Sequence, residues 1–102
     1  MHAAKELDHS DAPFIYSFFK TIVAQAPDKF DRSQTDQIFY ATRHAKLTFR
    51  PKFHIFLVEF NDATIYYEVK SDVACIFCLD EDLPSLNDLE ELFTMILRDI
   101  RL

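Results

Sequence analysis

The chain has 102 residues and not one glycine. At average usage about seven would be present. Glycine takes left-handed backbone conformations without steric cost. Every tight turn must therefore be made by other residues, of which Asn and Asp are the most tolerant. The same absence excludes function classes. Loops that cradle phosphate bring backbone N–H groups close to the anion where no Cβ intervenes. A P-loop or a glycine-rich dinucleotide fingerprint therefore cannot form here, and no cofactor is implied.

Turn chemistry divides the middle of the chain into strands. "FHIFLVEF" (53–60), "ATIYYEVK" (63–70) and "VACIFCL" (73–79) are separated by Asn61-Asp62 and Ser71-Asp72. Apolar, β-branched and aromatic runs bounded by such pairs predict a three-stranded meander. With two-residue turns, Phe60 faces Ala63, Val58 faces Ile65, Phe56 faces Tyr67 and His54 faces Val69. Ala74, Ile76 and Cys78 extend that face.

Two helices flank the meander. "DAPFIYSFFKTIVAQA" (11–26) carries Phe14, Ile15, Phe18, Phe19, Ile22, Val23 and Ala26 at helical spacing, with Pro13 in the first turn and Pro27 beyond the end. Near the C-terminus, Ser85 and Asp88 have the spacing of a capping box. Leu86, Leu89, Leu92, Phe93, Ile96 and Ile100 form an apolar stripe, broadened by Met95 and Leu97. Between the first helix and the meander, Ser33 with Asp36 argues for a short helix over 34–44. "QIFYAT" argues for a strand over 37–42. The strand is adopted, with "KLTFR" (46–50) as another. The prediction is one α+β domain over 11–102, with 1–10 a flexible N-terminus. Its antiparallel sheet has four or five strands, with the meander 53–79 at its centre. It is flanked by an N-terminal helix (about 12–26) and a C-terminal helix (about 86–101).

One sheet face calls for both helices. The other holds Phe53, Ile55, Leu57, Tyr66, Val73, Cys75, Phe77 and Leu79, with Glu59, Thr64, Glu68 and Lys70 between them. A solvated sheet face is mostly polar, and this one is too apolar to be left in water. Its cover is a helix, the 28–45 segment, a second copy of the chain or another protein. Leu57, Tyr66, Phe77 and Leu79 are the residues expected at a protein interface.

"ACIFC" (74–78) places Cys75 and Cys78 three apart on one strand, hence on opposite faces and about 10 Å apart. That is too far for a disulfide, which needs a Cα separation of about 4.4–6.8 Å. No second Cys or His pair at finger spacing completes a zinc site. Both read as small buried hydrophobes with free thiols. His54 reads as a core histidine, and no nucleophile–base arrangement can be placed, so no enzyme is expected.

Charge is uneven. Residues 1–58 carry eight Lys/Arg and six Asp/Glu, while residues 59–102 carry three and eleven, within a net charge of −6. An acidic half repels phosphate and suits a basic partner. Asp80, Glu81, Asp82, Asp88, Glu90 and Glu91 form the candidate acidic partner surface. The basic residues Arg43, Lys46, Arg50 and Lys52 alternate with Leu47, Phe49 and Phe53, a pattern suited to tracking a nucleic-acid backbone while bases stack. The N-terminus has no secretory apolar core, and no run reaches the ~20 apolar residues of a membrane span. A soluble, cytoplasmic protein without membrane contact is expected.

In size, acidity and element order the chain resembles small secretion chaperones and small acidic inhibitors or immunity proteins. The leading expectation is a non-enzymatic interaction module (adaptor, inhibitor or chaperone-like) that self-associates as a homodimer or binds another protein. The alternative is a nucleic-acid-binding regulator using residues 43–53.

Overall fold

The computed structural model describes residues 3–25, 37–42, 44–79 and 83–100. Among these, six strands and two α-helices follow the order β1 (Ala3–Leu7), α1 (Pro13–Gln25), β2 (Gln37–Ala41), β3 (Lys46–Arg50), β4 (Ile55–Phe60), β5 (Ala63–Glu68), β6 (Val73–Cys78) and α2 (Leu86–Ile100). All strands are antiparallel in one sheet of order β1-β6-β5-β4-β3-β2. The expected α+β class with its two terminal helices is what forms.

The N-terminus departs from expectation. Residues 3–7 are not a loose tail but the edge strand of the sheet, paired with β6 from Ala3↔Cys78 to Leu7↔Ala74. Five residues carrying Lys5 and Glu6 give almost no strand signal by themselves. The pairing partner supplies it, and Leu7 is buried against the core. The chain then turns through Asp8, whose carboxylate accepts bonds from the Ser10 amide (2.8 Å) and hydroxyl (2.6 Å). Ala12 N–H donates to the Asp8 carbonyl at 2.9 Å.

Strand β4 pairs with β5 in the predicted register, Phe60↔Ala63 through Ile55↔Glu68. The Asn61-Asp62 turn solves the missing-glycine problem by placing Asn61 at φ 47°. The second turn is longer than predicted. Glu68 pairs with Val73, leaving Val69–Asp72 as a four-residue connection closed by Asp72 at φ 56°. This moves the register by two residues, so every side chain keeps its predicted face. The strand predicted over 53–60 starts at Ile55. Pro51–Phe53 form a short 3-10 turn instead, and His54 follows at φ 54°. Its carbonyl still accepts the Val69 N–H at 3.0 Å, so the predicted pairing survives at the strand mouth.

Both helices lie on one face of the sheet. Phe19 of α1 stacks on Tyr67 at 5.0 Å and approaches Phe56 at 6.3 Å between ring centroids. Phe93 of α2 meets Phe18 at 4.9 Å and Phe19 at 6.0 Å. One continuous core results, containing Ile15, Ile22, Leu47, Phe49, Val58, Ile65, Ile76, Leu89 and Ile96. The Asp88 N–H donates to the Ser85 hydroxyl at 3.1 Å, so Ser85 caps α2 as its spacing predicts. The buried stripe of α2 is narrower than predicted: Leu86, Met95 and Leu97 are exposed. No helix of the described residues is long and apolar enough to cross a membrane.

Candidate functional site

Side chains alternate along each strand, so the face opposite the helices receives the remaining positions. Register places Thr48, Leu57, Tyr66, Cys75 and Glu6 in one row across β3, β4, β5, β6 and β1. Lys46, Glu59, Thr64, Phe77 and Ala4 form the next row, and Arg50, Ile55, Glu68 and Val73 lie on the other side. Three predicted interface residues, Leu57, Tyr66 and Phe77, are thereby brought together. Leu57 and Tyr66 are directly opposed and half-buried, and Phe77 is 38% exposed. Leu79 lies past the end of β6, 51% exposed, with its N–H on the Asp62 carbonyl at 3.0 Å. Among the described residues, no helix covers this face.

The cysteines behave as small hydrophobes on opposite faces: Cys78 is buried in the core and Cys75 half-buried on the open side, both as free thiols. The Cys75 thiol bonds to the Tyr66 phenol, and this bond, with burial, raises the phenol pKa. Thr48 is buried on the open face, between Lys46 and Arg50 along β3 and opposite Leu57 on β4.

The basic residues divide. Lys46 and Arg50 stand at the two ends of β3 on the open face, both exposed. Lys46 pairs with Glu59 across the strands, Nζ to Oε1 3.8 Å. Lys52 lies in the 3-10 turn with its Nζ 5.7 Å from the centroid of the Phe53 ring, which is 57% exposed. Arg43 lies outside the described residues. Of the acidic set, Asp80, Glu81 and Asp82 also lie outside them. Asp88, Glu90 and Glu91 are exposed on α2, so this acidic surface is on the helical side of the sheet, away from Leu57 and Tyr66. His54 is half-buried at the mouth of β4.

The sequence reading missed a polar corner where β1, α1, β5 and the β5–β6 turn converge. The Asp72 carboxylate accepts the Tyr67 hydroxyl at 2.7 Å, His9 Nε2 lies 3.1 Å from it, and Lys20 Nζ lies 3.6 Å away. The His9 ring stacks on Tyr16 at 3.6 Å. Tyr16 in turn donates its hydroxyl to the Leu7 carbonyl at 2.6 Å and accepts the Ala74 N–H at 2.9 Å. The Tyr67 bond, followed by those of His9 and Lys20, holds the Asp72 carboxyl below its ordinary pKa. Burial first, then the Asp72 carboxylate, pushes the Tyr67 phenol up. The only sequence signal for this corner was Asp72 as a turn residue. His9 lies 63 positions away and becomes its partner only through the pairing of β1 with β6.

A cleft between α1 and α2, lined by Phe14, Phe18, Phe93 and Leu97, measures about 180 Å³. Small-molecule sites run from about 300 Å³ upward, so this cleft is a packing seam between the helices. No family model, curated protein or solved structure matches the chain.

Proposed function

We propose that the chain is a protein-interaction module whose contact surface is the open face of the sheet. One observation carries this reading. Both helices pack on the same side, so Ile55, Leu57, Tyr66, Val73 and Phe77 remain on a side that no described helix covers. A concentrated apolar patch rimmed by charged residues is the usual mark of a protein-binding surface. Burying it against a partner gains roughly 25 cal/mol per Å² of apolar surface before the costs of association.

Its test has two parts. Leu57→Thr, Tyr66→Thr and Phe77→Thr remove the large apolar groups and put a β-branched residue, which suits a strand, at each position. On a contact surface each should lower monomer stability by no more than about 1 kcal/mol, the size of a cross-strand pair term. Photo-crosslinking from p-benzoylphenylalanine in place of Phe77 should give adducts in the cell, and Leu57→Thr should abolish them. Losses of about 2–5 kcal/mol per site would mark internal core and, like an absence of adducts, would overturn the reading.

The nucleic-acid reading rests on Arg50, Lys52 and the exposed Phe53 ring gathered at one end of β3. Glu59 on Lys46 and Glu68 on the same face work against a polyanion. Labelled single-stranded DNA or RNA bound through this corner should dissociate steeply with salt and fail to bind Arg50→Ala with Lys52→Ala.

A further inference from the structure

We draw no further inference here: the strongest candidate, the open face of the sheet around Leu57 and Tyr66, is an apolar patch with charges of both signs around it, and nothing in the structure shows what covers it.

Discussion

The two faces of the sheet carry similar runs of apolar side chains, yet both helices of the described residues pack on one of them. Along β4, Phe56, Val58 and Phe60 are buried, while the alternating Ile55, Leu57 and Glu59 are half-buried or exposed. The charged residues separate the faces. Glu6, Glu59, Glu68, Lys46 and Arg50 all fall on the open side by register. Lys5, at the exposed edge, is the charged exception on the helical side. An uncompensated charge is expensive to bury, so a few interspersed charges fix which face the helices can cover. Apolar content alone does not distinguish them.

The largest contrast is expected from truncating strand neighbours of opposite orientation. Phe56 is fully buried between Phe49, at 4.7 Å, and Phe19, at 6.3 Å. Phe56→Ala should cost about 3–5 kcal/mol, the usual range for a large core aromatic. Leu57→Ala, one residue on, should cost less, about 1–2 kcal/mol in urea denaturation of the monomer, since part of its surface stays in water. Equal costs would mean that both faces are core.

Much of the covered face was legible in the sequence, and the reasons are local. The β4–β5 register follows from Asn61-Asp62 and from alternation, and α2 follows from Ser85 and its stripe. The four-residue β5–β6 turn was misjudged, but a shift of two residues cannot change a face. What could not be read depends on partners distant in sequence. Strand β1 exists because β6 offers it an edge. The polar corner exists because that pairing brings His9 to Asp72. The stripe of α2 was over-read for a different reason: Leu86, Met95 and Leu97 fit helical spacing, but only Leu89, Phe93 and Ile96 of the helix are buried. The open face was legible as a set of residues, whereas the side on which α1 and α2 pack depended on contacts distant in sequence.

A smaller effect should appear where the two faces are tied at the margin. The Tyr16 hydroxyl is the shared partner of the Leu7 carbonyl and the Ala74 N–H, both within the buried seam of β1 and β6. Tyr16→Phe keeps the ring and its edge contact with Tyr67 at 6.0 Å but leaves two buried backbone groups without that bond. A loss of about 1–3 kcal/mol is expected. It should be accompanied by faster amide exchange along residues 3–7 and 74–78 than in β4. Unchanged exchange there would show that β1 is held by its ladder and Leu7 alone.

The smallest effect expected is in acid and comes from Asp72, at the exposed corner below that seam. Its carboxyl is held below the ordinary value first by the Tyr67 hydroxyl, then by His9 and Lys20. A carboxylate whose folded pKa is depressed binds fewer protons in the native than in the unfolded state. The stability it adds is therefore complete above the unfolded value of about 3.9 and is lost as pH falls through the lower folded value. The parent should accordingly lose stability on acidification below about pH 4, and Asp72→Asn, which cannot titrate, should lose less over the same interval. Asp8 is depressed in the same way by the Ser10 hydroxyl and amide, so it contributes to the same acid limb and keeps the Asp72→Asn slope from vanishing. The measurement is urea denaturation at pH 6, 4 and 3 for both chains. Parallel slopes would mean that the corner is not held by the carboxylate. Convergence of the two chains near pH 3 would show that Asp72, on neither the core nor the open face, fastens the β1–α1 corner to the β5–β6 turn through its charge.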